Sequence, residues 1–399
     1  MNRSLLIIFA TVGLDAIGIG LIFPILPRLL QEVTHTAHIA TYIGIMTALY
    51  ALMQFIFSPL LGSLSDNWGR RPVLILSLAG AAINYFIMAF SPHLWMLILG
   101  RAIAGLTSAN ASVAAAYITD VSPEDTRARR FGLLNAVFGA GFIIGPVMGG
   151  ILSDYWLRLP FMVAALLNAA NLLLTWKILP ESRCSQNRPS ISLTVLNPLQ
   201  PLRWIFTMKS LLPIVCLFCL MSAAGEAYGT CWTLWGFDTF HWNGLWVGMS
   251  LGAFGICQTL VQAFLPGIVS KWLGEQGAVL SGIACSAIAL VIMAYAKEGW
   301  MVFAIMPVFA LTGIGTPALQ ALASRQVAPD RQGEFQGVLT SAISLASIIA
   351  PLGFSTLYFS VQNTWPGAIW LTVVCLYVFA LPLLMKVSGR KTSSKESLT

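Results

Sequence analysis

The sequence predicts an all-α membrane protein of twelve transmembrane helices, arranged as two similar six-helix halves. Three observations predict it. Hydrophobic residues make up 57% of the 399-residue chain, and Asp, Glu, Lys and Arg only 9%, against roughly 25% in a soluble domain. So little charge cannot cover a water-facing surface, and lipid is the natural replacement. The apolar residues gather into twelve runs of helix length. Finally, the first half falls on the second when shifted by a constant number of residues.

The runs lie near 5–30, 39–61, 73–91, 94–117, 131–152 and 157–180, then 209–236, 245–269, 277–296, 300–322, 334–359 and 366–387. Each approaches or exceeds the roughly 20 residues that cross a bilayer core. The first is longer than a signal-peptide core and lacks a small-residue cleavage site, so it reads as a span. Residues 1–180 are expected to form one bundle and 209–387 the other. Between them, 181–208 is polar, with Arg183, Arg188 and Arg203, and reads as a cytoplasmic linker. A polar tail, 388–399, closes the chain. Lys and Arg set the orientation. Loops on the side of the N-terminus hold Arg70, Arg71, Arg127, Arg129, Arg130, Lys271, Arg325 and Arg331, whereas the opposite loops hold only Arg28, Arg158 and Lys297. Both termini are therefore expected in the cytoplasm.

A shift of 205 residues places Gly62, Gly69 and Arg70 on Gly267, Gly274 and Glu275, Asp120 on Arg325, and Pro146 on Pro351. Such a constant offset marks a duplicated six-span unit. The signs of two charges are exchanged between the copies. Arg70 with Asp120, and Glu275 with Arg325, are expected to form a cytoplasmic ion pair within each half, one that gates access by holding inner helix ends together.

The net charge of +7 does not point to nucleic acid, because the basic residues sit in short loops between apolar runs. Cys216 and Cys219 fall inside an apolar run and read as small hydrophobes. No phosphate-binding G-x-x-x-x-G-K-[S/T] loop is present. The four His, at 35, 38, 93 and 241, lie near outer span ends, so neither a metal, a cofactor nor an enzyme active site is expected.

Several motifs carry a resemblance. Gly62-Ser-Leu-Ser-Asp66-Asn-Trp-Gly69-Arg70-Arg71-Pro72 resembles the loop 2–3 signature of the major facilitator superfamily. Arg101 with Gly105 resembles its fourth-helix motif, and Gly141-Phe-Ile-Ile-Gly145-Pro146-Val-Met-Gly149-Gly150 the fifth-helix motif of its antiporters. Leu14-Asp15-Ala-Ile-Gly18-Ile-Gly20, Tyr50 with Gln54, and Pro317-Ala-Leu-Gln320 narrow the likeness to the tetracycline/proton antiporters. The resemblance implies the major facilitator fold and proton-driven drug export from a bacterial inner membrane, by a monomer without ATP. A proton-coupled carrier of a small metabolite is the other reading. There are departures. Asn84 and Cys285 stand where the resemblance implies acids in the third and ninth spans. Cys257 stands for a His in the eighth, and Glu226 for a Gln in the seventh.

Charge inside a bilayer is costly, so each ionisable residue there needs a reason. Asp15 lies ten residues into the first run, roughly 15 Å along a helix and near the bilayer midplane. A carboxylate at that depth can take up and release a proton with small changes in solvation. Glu226, in the small-residue run Ser222-Ala-Ala-Gly225-Glu226, is expected to replace the missing acids as a proton carrier, or to face a cationic drug; a bond to Gln258 or Gln262 is the bland alternative. Arg101 keeps its proton at any physiological pH and is expected to bias a nearby carboxylate.

Uncharged polar residues on helical faces are candidates to line a drug cavity. Tyr50 and Gln54, and Gln258 and Gln262, are spaced i, i+4, and Asn168 and Asn171 i, i+3. Asn84, Asn110 and Gln320 join them, with Tyr228 and Trp232 as flat surfaces. Asp66 is expected to cap a short inner helix. Asp66→Asn should slow exchange without removing drug binding, which is checked by comparing turnover with equilibrium binding.

Overall fold

The computed structural model describes residues 3–36, 38–182, 211–324 and 332–396. Among them there is no β-strand. The helices are α1 (Arg3–Thr34), α2 (Ile39–Trp68), α3 (Arg70–Phe90), α4 (Leu94–Leu106), α5 (Asn110–Val121), α6 (Glu124–Tyr155), α7 (Leu159–Ile178), α8 (Leu212–Phe240), α9 (Gly244–Ala294), α10 (Gly299–Ala310), α11 (Gly315–Ser324), α12 (Gln332–Val361) and α13 (Ala368–Glu396). A 3₁₀ turn, Leu311–Ile314, joins α10 to α11.

Two adjustments turn these helices into twelve crossings. The 51 residues of α9 would span about 77 Å if straight, far more than a bilayer core. Gly274 divides them, at φ 71° and ψ 172°, so α9 supplies the eighth and ninth spans. In the other direction, α4 with α5 makes one span, and α10 with α11 another, each broken near its middle.

The duplication read from sequence reappears as backbone geometry. Gly69 has φ 106° and ψ 162°, and its counterpart Gly274 has nearly the same conformation. These are the two glycines with positive φ among the described residues. A side chain is strained there, which explains glycine at both elbows. The break in the fourth span falls at Thr107–Ala109, and the 3₁₀ turn stands 205 residues later in the tenth. His35 and His241, with φ 51° and 54°, end the first and seventh spans in the left-handed form that terminates helices.

Packing divides the chain into two units: Met1–Pro198 with Trp242–Gly252, and Leu199–His241 with Ala253–Thr399. The start of the eighth span thus groups with the first unit. Gly244, Gly248 and Gly252 lie there against α6, where a methyl at 248 would meet the Pro146 carbonyl carbon at 3.1 Å. One apolar core of the first unit gathers Ile8 and Val12 of α1, Leu61 of α2, Leu74 of α3 and Val113 and Tyr117 of α5. The second unit buries Trp232 and Trp235 of α8, Phe335 and Tyr358 of α12 and Trp370 of α13. The last helix continues to Glu396, through most of the stretch read as a polar tail. The linker beyond Ser182 lies outside the described residues.

Candidate functional site

In the first unit the break in the fourth span builds a polar cluster. Helix α4 stops at Leu106 and α5 starts at Asn110, so Ser108 and Asn110 sit at loosened backbone where both can face α1 and α2. Asn110 Nδ2 donates to Asp15 Oδ1 at 3.1 Å. The Tyr50 hydroxyl and Ser108 Oγ share a hydrogen bond of 3.0 Å, and Gln54 Nε2 donates to the same Oγ at 3.1 Å. The Arg101 guanidinium lies over the Tyr50 ring, 4.9 Å from its centroid, a cation–π contact. No carboxylate lies within 4.0 Å of Arg101 among the described residues, so its nearest recorded partner is an aromatic face and not an acid. Asn84 is buried, and its Oδ1 has no hydrogen-bond partner, nor do Arg101 Nε and Asn110 Oδ1. Tyr85 closes the cluster: a methyl at Gly18 would collide with its ring. Asp15, Tyr50, Gln54, Arg101 and Asn110 are thus brought together, with Ser108 and Tyr85 added. The loosened Thr-Ser-Ala stretch was the available signal for Ser108.

At the Gly69 elbow, α2 passes to α3 through one residue. Arg70 Nη1 pairs with Asp66 Oδ1 at 2.8 Å, and Arg70 Nε with Asp120 Oδ2 at 3.1 Å. The ion pair expected within the first half is present. There is no separate short helix for Asp66 to cap, because α2 runs unbroken to Trp68. The carboxylate on the first amides of α3 is Glu181, which accepts from Arg70 N at 2.8 Å and from Arg71 N at 3.1 Å, where a helix N-terminus favours an anion. Ser182 Oγ donates to Asp120 Oδ2 at 3.0 Å. Sequence gave no pairing signal for Glu181, since it lies 111 residues from Arg70. In the second half Glu275 follows the matching elbow, and Arg325 lies outside the described residues.

Gly141, Gly145 and Gly149 recur every fourth residue on α6 and face α1. A methyl at Gly145 would lie 3.0 Å from Leu21 N and 3.1 Å from Gly20 Cα, and one at Gly141 would lie 2.6 Å from the Gly13 carbonyl oxygen. The two helices touch backbone to backbone, as small residues spaced by four allow in membranes. Pro146, inside α6, lies against Gly20.

In the second unit Glu226 does not bond Gln258 or Gln262. Ser347 Oγ of α12 donates to its Oε1 at 2.6 Å. Tyr228, two residues on, is stacked on Trp232, Phe254 and Phe309, with centroids 4.8, 5.3 and 4.5 Å away. These rings adjoin a cavity of about 510 Å³ lined by Tyr228, Phe254, Gln258, Phe309, Thr312 and Gln320, among others. Gln258 Oε1 has no hydrogen-bond partner. Two expected lining residues lie elsewhere. Trp232 is fully buried behind Tyr228, and Gln262 sits one turn beyond the cavity, next to Gly313.

The fold and these sites define a class: a multi-pass membrane protein of two duplicated six-helix units, each with polar groups held inside its apolar helices. The Major Facilitator Superfamily profile matches residues 8–351 and 237–398, and the chain belongs to that superfamily. It is 44% identical to the tetracycline resistance protein, class C, of Escherichia coli, over 98% of this chain and 99% of that one. It is 42% identical to the class G protein of Vibrio anguillarum, over 97% and 98%. Among solved structures, the nucleoside transporter NupG superposes with a TM-score of 0.77 at 15% identity, covering 97% of this chain and 99% of that one, which speaks to the fold alone.

Proposed function

We propose that this protein exports a drug, a tetracycline or another amphipathic antibiotic, from a bacterial cytoplasm in exchange for protons. The observation that carries the reading is its likeness to tetracycline resistance proteins along nearly the whole of both chains. That likeness favours a drug over a small metabolite. The protein lies in the inner membrane with both termini in the cytoplasm, works as a monomer and alternates access between its halves.

Asp15 carries the coupling proton in this reading. The Asn110 amide offers its ionised form a donor, and the free Asn110 Oδ1 is an acceptor for the acid proton once it is bound. Arg101, held on Tyr50, supplies a fixed positive field that favours proton release. The cavity beside Tyr228 suits a flat multi-ring ligand: stacked rings give it a face, and Gln258 and Gln320 read polar edges. Glu226 stands outside the lining of that cavity and takes part as a second proton carrier: Ser347 Oγ donates to its charged form, and protonation weakens that bond.

Energised inverted vesicles provide the test. A panel of tetracyclines and unrelated amphipathic antibiotics is added while lumenal pH is followed. Drug addition should release protons from the lumen. No proton movement with any drug, from protein that is folded and inserted, would remove the exporter reading. Glu226→Gln should lower the ratio of protons to drug about twofold, one of two carriers being lost, and leave drug affinity within about twofold, as expected when one hydrogen-bonded group becomes a neutral isostere. A normal ratio would restrict Glu226 to a structural bond.

A further inference from the structure

The buried polar side chains of the first unit include Thr11 on α1, Ser77 and Asn84 on α3, and Asn168, Asn171 and Thr175 on α7. Each is at most 3% exposed. Some bonds are made. Asn171 Nδ2 donates to Thr11 Oγ1 at 2.9 Å, Thr11 Oγ1 to the Ile7 carbonyl at 2.9 Å, and Asn168 Nδ2 to the Ala164 carbonyl at 2.9 Å. Yet Ser77 Oγ, Thr175 Oγ1 and the Oδ1 atoms of Asn84, Asn168 and Asn171 have no partner. A buried oxygen without a partner is costly, and each such group in a native fold calls for an explanation.

Asn84 Oδ1 faces Gly100 of α4, and the other four oxygens are strung along α3 and α7. Arg71 Nη2 donates to the Trp176 carbonyl, and Arg158 Nη1 donates to the Ser91 carbonyl at 2.7 Å, so α3 and α7 run antiparallel with residue 71 near 176 and 91 near 158. At 1.5 Å per residue, Ser77 is then roughly level with Asn171, and therefore with Thr11, while Thr175 lies about one turn nearer the Gly69 elbow. Asn168 lies about one turn further from it. Asp15 is four residues beyond Thr11, on the same helix face. The series leads from the elbow to Asp15.

The fold itself does not require this polarity. The elbows relate Ser77 and Asn84 to Gly282 and Ala289 in the ninth span, and the left-handed His35 and His241 relate Thr11 to Leu217 in the seventh. The buried face of α13 is Ile369, Trp370, Val373, Tyr377, Ala380 and Leu384, with no amide. The duplicate has no amide at these positions, although it buries Ser286 against Thr312 and leaves Trp370 Nε1 without a partner; helix association in this architecture therefore does not require the amides of the seam.

We propose that the seam of α1, α3 and α7 holds ordered water and conducts protons between Asp15 and the cytoplasmic end of the unit. The proposal rests on the reading of Asp15 as the proton carrier. Buried water makes about three hydrogen bonds to otherwise unsatisfied groups, which is what the orphaned oxygens offer. Asp15 gives its acid proton to the adjoining water and returns to carboxylate. Each water or hydroxyl oxygen along the line gains one proton and passes on another, and one proton leaves beside Thr175. The amides hold the waters in line and gain or lose nothing.

The test combines two near-isosteric changes, Ser77→Ala with Thr175→Val, in the full-length protein in proteoliposomes. Drug-driven proton release should slow about tenfold, the effect of a hydrogen bond lost from a rate-limiting path. Drug–drug exchange without a proton gradient should stay within about twofold, since no bond to the ligand changes. Proton release at the wild-type rate overturns the proposal, and so does loss of exchange in step with release. Thermal unfolding gives a separate readout that does not depend on transport. In a dry seam the double variant removes two unpaired hydroxyls and raises Tm; in a wet one it strips bonds from water and does not, so a raised Tm overturns the proposal. Asn171→Leu repeats both readouts should the double variant insert poorly. Failure of the parent reading looks different: the wild type itself would release no protons, while the Tm comparison would still report a wet or a dry seam.

Discussion

Asp15→Asn should abolish drug-driven proton movement and leave a folded, drug-binding protein. The substitution keeps size and shape, and the Asn110 amide can still donate to the remaining side-chain oxygen, now at an uncharged partner. What is lost is the one group on α1 able to bind and release a proton at depth. Positioned proton-transfer groups contribute on the order of 10²–10⁴ to a rate, so coupled flux should fall by at least about 100-fold. Exchange of drug for drug, which moves no net proton, should survive. The measurement is lumenal pH against labelled-drug exchange in the same vesicles. Asp15→Glu is the companion: it keeps the carboxyl and displaces it from Asn110, so it should restore part of the flux. Full coupling in Asp15→Asn would move the proton site elsewhere, with Glu226 first in line.

Gly145→Val should cost more than transport. The atoms its side chain would meet are backbone atoms of α1, Leu21 N at 3.0 Å and Gly20 Cα at 3.1 Å, and neither can turn away as a side-chain tip would. Helices α1 and α6 must separate along the Gly141–Gly149 face, and Gly20 with Pro146 separates with them. Overpacking of a well-fitted core costs about 1–3 kcal/mol, occasionally more, a large part of a typical marginal stability. Folded protein recovered from membranes should fall severalfold, and thermal unfolding of the remainder should shift down. Gly139→Ala, on the same helix with no atom within 4 Å of the added methyl, is the control and should be neutral or slightly stabilising. Equal losses at 139 and 145 would show that the backbone contact with α1 does not set the effect.

The contrast between these positions shows what sequence carries and what it does not. A four-residue spacing of glycines announces close approach, and the 205-residue offset announces a second copy, because both are patterns along the chain. The Arg70–Asp120 pair was legible for the same reason, since its sign-reversed duplicate made it conspicuous. Glu181 and Ser347 were not legible. Each is a lone polar residue far along the chain from its partner, and only folding sets the distance. Periodicity names a helical face without saying what covers it. That is why Gln258 lines the second unit's cavity while Gln262, on the same face, does not, and why Trp232 stands behind Tyr228. Asn168 and Asn171 were placed on a cavity wall by the same logic, whereas the fold turns them into the interior of their own unit.

The one-residue elbows at Gly69 and Gly274 also bear on how the protein can be altered. Most connections between helices have slack: a few residues of loop tolerate a nick, an epitope or a fused reporter. Here the chain leaves one span and enters the next across a single left-handed glycine, so an added residue would turn the following helix by about 100° and push its buried face outward. Insertional tagging should therefore fail sharply at 69 and 274. A change of length at either crossing should therefore cost the fold more than a substitution in the loops elsewhere.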